Sequence, residues 1–183
     1  MTTPARLSVA DDDLVEHVSA EGVVLEVVTR AELRRRRLRH RCTYIAVVTS
    51  DRELVVHRRA EWKDVFPGFW DVCFGGVCAV DEPWFDGACR ELAEEAGLSG
   101  DLEDLGTVHY DGGASTGSVI GRVYFLLTDH QPTCPDGEVV ELDRVALVDI
   151  GTWMQDRRVC LDSREVVLPL LLRRFGLAPP SSG

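Results

Sequence analysis

Three glutamates, Glu91, Glu94 and Glu95, crowd the end of one short helical stretch. Residues three and four apart stack on adjacent turns, so these carboxylates share a face, and each close pair opposes the helix by roughly 0.2–0.5 kcal/mol. They also sit near the negative helix end, where acids are disfavoured. A divalent cation removes the conflict, and an oxygen-only ligand set selects a hard ion, Mg2+ or Mn2+, over zinc. A solvated acidic face is the plain alternative and the commoner meaning of such a cluster. Gly75 and Gly76 stand upstream, where missing side chains let backbone approach a metal or a phosphate. Glu138 and Glu141 are the acidic candidates elsewhere for a further ligand or base, unless they are solvated residues of an edge strand. Arg58, Arg59 and Lys63 lead into a loop with Trp62, Phe66, Phe69 and Trp70, which reads as one wall of a substrate cleft. The cations would contact phosphate, and the aromatics would stack on a base or pack in the core.

The helix that carries the glutamates has its own signals. Pro83 suits its first position, Asp81 or Glu82 complements its positive end, and Gly97 stops it. Phe85, Cys89, Leu92 and Ala96 recur at the spacing of one stripe, which should face the core. Leu14 to Val18 and Val23 to Thr29 read as a hairpin, and Tyr44 to Thr49 with Leu54 to His57 as a second one. Between them Arg30 to Arg41 is strongly basic, either a solvated helix face or a further source of phosphate contacts. Val72 to Val80 is expected as a strand broken by the two glycines. Leu102 to Tyr110, Val119 to Thr128 and Glu138 to Val148 are expected as further strands, and Asp111 to Gly117 as a mobile connector. Thr152 to Gln155 reads as a short helix, and Asp162 opens a last helix, restarted near Pro169 and closed at Gly176. The pattern predicts an α/β fold, a mixed sheet between helices. One domain is expected over 12–176, with disordered ends at 1–11 and 177–183.

The chain has 183 residues, 45% hydrophobic and 28% charged, as in an ordinary globular domain. A net charge of −11 argues against a nucleic-acid polymer as partner, since phosphate backbones reward basic surfaces. It leaves room for a small anion held by a local basic patch. Six cysteines without zinc spacing read as buried free thiols. With no membrane-length apolar run and no signal-peptide order, the expectation is a cytoplasmic protein without a membrane partner, monomer or homodimer.

Gly76, Glu82, Arg90-Glu91-Leu92, Glu94-Glu95 and Gly97-Leu98 fit every fixed position of the Nudix box, here residues 76–98. The chain resembles that family of hydrolases, which cleave a diphosphate linked to another moiety. The resemblance implies an α/β/α sandwich and an Mg2+ or Mn2+ cofactor. It also implies Glu91, Glu94 and Glu95 as metal ligands, the Gly75 carbonyl as a further one, and an Arg90–Glu82 pair that orients the glutamates. The base would be Glu94 or Glu95, with Glu138 as the alternative.

His40-Arg41 and residues 57–71 also resemble the branch that contains isopentenyl-diphosphate isomerases. Gly75 and Val77 stand where those enzymes carry a catalytic cysteine and a metal-binding histidine. Residues 119–122 lack their acidic pair, and the box here is intact. Without that acid–base pair isomerisation has no proton path, and hydrolysis of a small-molecule diphosphate is the expected reaction. A module that binds a nucleotide or ADP-ribose without turnover is the remaining alternative.

Overall fold

The computed structural model describes residues 12–179, so the expected disordered stretch 1–11 and positions 180–183 of the expected tail lie outside the described residues. Strand β1 (Leu14–Val18) turns at Ser19, whose hydroxyl accepts from the Glu21 and Val23 amides, into β2 (Val24–Thr29). Thr29 caps helix α1 (Arg30–Arg36) by accepting from the Glu32 amide, and Arg37 ends it at φ 54°. Strands β3 (His40–Val48), β4 (Glu53–Arg59) and the short β5 (Trp70–Asp71) follow. Helix α2 (Trp84–Glu91) continues into a π-helical turn, Leu92–Ala96, which Gly97 stops at φ 66°. The order then runs β6 (Leu102–Asp111), the one-turn α3 (Gly113–Thr116), β7 (Ser118–Leu127), β8 (Val139–Ala146) and α4 (Ile150–Trp153). A second π-helical turn, Ser163–Val167, leads into α5 (Leu168–Arg174), the expected restart next to Pro169.

The main sheet has the order β5-β4-β3-β7-β6, with β8 paired to β4. Strands β3 and β7 are parallel and the other pairs antiparallel. β3 is buried from Cys42 onward, as a strand covered on both faces must be. Its alternation splits the core. Ala46 and Val48 pack with Leu168, Leu171 and Leu172 of α5, and Ile45 and Val47 with Ala88, Leu92 and Ala96 of the acidic helix. The result is the expected α/β/α sandwich with a mixed sheet and an N-terminal hairpin.

Local expectations needed correction. Over 72–80 the chain makes only single bridges, Phe74 to Ile45, Val77 to Cys42 and Ala79 to Val15, and Gly75 among them stands at φ 138°. The buried face of α2 is Gly87, Ala88 and Glu91, while Phe85 is 49% exposed and Cys89 half-buried. The π-helical turn winds more residues per turn and rotates Leu92 and Ala96 relative to the first half, so one 3.6-residue stripe does not serve both. Residues 113–116 of the expected connector form α3. Leu177 packs on the core beside α5 although the tail was expected to start there. Six free cysteines are present, of which Cys89 and Cys134 are only half-buried. Among the described residues no helix is long and apolar enough to cross a membrane.

His57 is buried, stacks on Phe74 at 4.5 Å between centroids, and has no partner at Nδ1. Burial pushes its pKa down to about 4 from 6.5. The unfolded chain therefore binds the proton first, and stability is lost as pH falls from about 6.5 towards 4, by up to about 3 kcal/mol for this group. Urea denaturation across that range should show His57→Phe losing this part of the pH dependence. An unchanged profile would contradict the assignment.

Candidate active site

The acidic helix is set against a backbone of small residues. The Thr43 amide donates to the Gly76 carbonyl at 2.9 Å, which lays residues 75–76 along β3. A Cβ on Gly76 would lie 2.6 Å from Glu91 Oε1, so the glycine is the space the carboxylate occupies. The Gly75 amide donates to Glu95 Oε2 at 2.8 Å.

Arg90 holds the carboxylates in register. Its guanidinium donates to both oxygens of Glu82 at 2.8 and 2.9 Å, to Glu91 Oε1 at 2.8 Å and to Glu94 Oε2 at 3.1 Å. Glu82 in turn accepts from the Ala79 amide, and Arg90 holds its carboxyl below the usual range. Arg90 and Glu82 are thus joined through both carboxylate oxygens.

Glu91 and Glu95 are buried, while Glu94 is 52% exposed. Burial raises the pKa of Glu91 despite Arg90, and burial together with the Glu91 charge raises Glu95 well above the carboxylate range. Across the cleft, oxygens of Glu95, Asp136 and Glu138 lie within 4.8 Å of one another. Burial raises Asp136. Burial works against the Glu138 charge too, but an ion pair with Lys63 outweighs it and its pKa is lowered. This all-oxygen, crowded, desolvated donor set fits a hard divalent cation, whose charge would offset both the repulsion and the burial.

These groups line one cavity of about 1000 Å³, together with Gly75, Arg59 and Lys63. Arg59 reaches Asp71 at 3.5 Å and leaves its Nε buried without a partner. Two expected substrate contacts are not there. Arg58 bonds Glu141 at 2.9 Å, and Trp70 meets Trp153 edge-on at 5.2 Å between centroids. Neighbouring strand residues face opposite sides. Arg58 and its cross-strand partner Trp70 share the face of Leu54 and Val56, towards α4 and α5, whereas Arg59 shares the cleft face with His57. Glu141 leaves the candidate base set with Arg58, and Glu138 stays. Of the aromatics, Trp62 and Phe66 line the cavity.

The sequence reading missed Asp136, which the turn around Gly137 brings beside Glu95, and also a buried polar floor. Tyr44 donates to Asp162 at 3.2 Å, and burial with the nearby Asp71 charge pushes Asp162 up to about 6. Its cap-like position was the one signal, and it pointed to a helix start.

The family model described as NUDIX domain matches residues 38–166. Nudix hydrolase PA4841 of Pseudomonas aeruginosa is 42% identical over 94 residues, 51% of this chain and 56% of that protein. Nudix hydrolase YfcD of Escherichia coli K12 is 40% identical over 91 residues, 50% of this chain and 51% of that protein. The chain thus spans about half the length of the curated relatives it matches. Among solved structures, DR0079 from Deinococcus radiodurans superposes with a TM-score of 0.71 at 21% identity, covering 88% of this chain and 98% of that one. The NUDIX domain of Shewanella oneidensis NrtR, solved with ADP ribose, gives 0.61 at 18% identity over 75% and 88%. At these identities the two structures speak for the fold alone.

Proposed function

Because the chain belongs to the Nudix family, we propose that it is a Mg2+- or Mn2+-dependent hydrolase of a small organic diphosphate of the nucleoside-diphosphate type. Water would attack at phosphorus. The observation that carries this reading is that one cavity is lined both by a carboxylate set, Glu91, Glu94, Glu95, Asp136 and Glu138, and by the cations Arg59 and Lys63.

Glu91, Glu94, Glu95 and the Gly75 backbone would hold the cation, with Asp136 closing the set. A bound divalent ion supplies charge neutralisation for the phosphate oxygens and an acidified water. The chain does the rest. Arg90 fixes the glutamate rotamers before substrate arrives, and Arg59 and Lys63 bind and orient the phosphates. Glu138, kept ionised by Lys63, is the carboxylate we assign to orient the water and take its proton.

Isomerisation is disfavoured by Cys73. It is buried beside Asp71, and burial with that charge holds its thiol protonated well above the usual range.

The test is turnover in 18O-water with Mg2+ or Mn2+ over nucleotide sugars, dinucleotides, nucleoside di- and triphosphates and isopentenyl diphosphate. The expected outcome is one 18O in a product phosphate, abolished by EDTA. Rearrangement of isopentenyl diphosphate without phosphate release would replace the reading with the isomerase, and tight ADP-ribose binding without turnover would replace it with a binding module.

A further inference from the structure

The cavity has a second charged wall that the metal end does not use. Helix α1 supplies it. Arg30, Arg34 and Arg37 recur at the spacing that stacks side chains along one helix face, and all three line the cavity. The neighbouring arginines are engaged outside it, Arg35 with Glu32, and Arg36 with Glu26 and Glu32. Arg34 pairs with Asp64, which ties α1 to the loop that carries Lys63.

Arg30 and Arg37 make no ion pair among the described residues. The Nε of Arg30 is closed off from solvent without a hydrogen-bond partner, in the cavity that His40, Cys42 and Glu91 also line. Arg37 stands at the other end of α1. Its backbone carbonyl is 3.3 Å from where a Cβ on Gly117 would lie, next to α3, and Tyr110 and Thr116 line the same end of the cavity. Seven residues of helix separate the two Cα atoms by about 10 Å. In a chain of net charge −11, two uncommitted guanidiniums on one cavity wall call for an anion each. A Cα separation of about 10 Å suits two anionic groups carried on one molecule better than one diphosphate.

We propose that the moiety attached to the diphosphate carries a further phosphomonoester, that Arg37 receives it at the α1–α3 end of the cavity, and that Arg30 grips the diphosphate beside the metal end. A phosphomonoester is a dianion whose oxygens match the guanidinium fork. This subsite rests on the hydrolase reading of the same cavity, and the two can fail separately.

Two ligand pairs that differ by one phosphomonoester test it: NADP+ against NAD+, and CoA against dephospho-CoA. Dissociation constants are measured by calorimetry without divalent ion, and KM and kcat with Mg2+. The phosphorylated member of at least one pair should bind about tenfold tighter or better. Arg37→Asn, chosen because asparagine tolerates a left-handed backbone, should erase that preference without changing the affinity of the unphosphorylated member. Arg30→Gln should weaken every ligand that binds. Equal affinity within both pairs, a preference that survives Arg37→Asn, or no binding by any of the four overturns the proposal. Preference without turnover would keep the subsite and remove the hydrolase reading. Turnover without preference would do the reverse.

Discussion

Glu95→Gln is expected to lower diphosphate hydrolysis by roughly a thousandfold or more while leaving the fold in place. The side chain is buried and accepts from the Gly75 amide, a bond the glutamine oxygen can keep. What glutamine cannot supply is the negative charge. A bound metal stabilises the transition state by several kcal/mol, and each 1.36 kcal/mol is tenfold in rate, so a loss of that order follows if Glu95 is a ligand. Glu141→Gln is the contrast. That residue pairs with Arg58 on the opposite face of the sheet, and its loss should change the rate less than about twofold, since exposed pairs contribute little. Steady-state kinetics across a divalent-ion titration, with circular dichroism to check the fold, separates the cases. Full turnover by Glu95→Gln would sink the metal-site assignment.

The acidic end of the cavity was legible because its signal is local. Glu91, Glu94 and Glu95 sit on one helix, their hydrogen-bond partners Arg90 and Glu82 lie on or just before it, and the spacing crowds like charges on one face. The layers of the fold were legible for the same reason, from strand and helix periods. Other features were not. Asp136 joins Glu95 through a turn distant in sequence, and a Pro-Asp-Gly turn carries no mark of the carboxylate it will face. Arg58 and Arg59 could be told apart only by knowing which side of β4 faces the cleft, and β4 is apolar on both sides, with Leu54 and Val56 against Val55. The core stripe of α2 failed because a period of 3.6 was carried through a π-helical turn. The basic stretch after β2 was read as possible phosphate contacts, yet only burial distinguishes Arg30 from the solvated Arg35.

The two glycines before the acidic helix should fail in opposite ways when changed to alanine. At Gly75 a Cβ would lie 2.0 Å from the Thr43 carbonyl oxygen, with φ at +138°. That neighbour is backbone of the central strand and cannot turn aside. Strained φ costs of order 1–3 kcal/mol and overpacking a similar amount, so Gly75→Ala should lose about 3–5 kcal/mol, a large part of the stability of an ordinary domain. At Gly76 φ is not in the left-handed region, and the new Cβ would meet Glu91 Oε1 at 2.6 Å, the end of a side chain that can move. Moving it drags a metal-ligand candidate and the Arg90 bond with it. Gly76→Ala should therefore fold within about 1–2 kcal/mol of the parent and lose at least about a hundredfold in turnover, because misplacement by an ångström is that costly at a reacting centre. Urea denaturation and kinetics on the same preparations read both quantities. A stable, active Gly75→Ala, or a Gly76→Ala that loses stability without losing turnover, would mean that this backbone does not shape the site as its geometry requires.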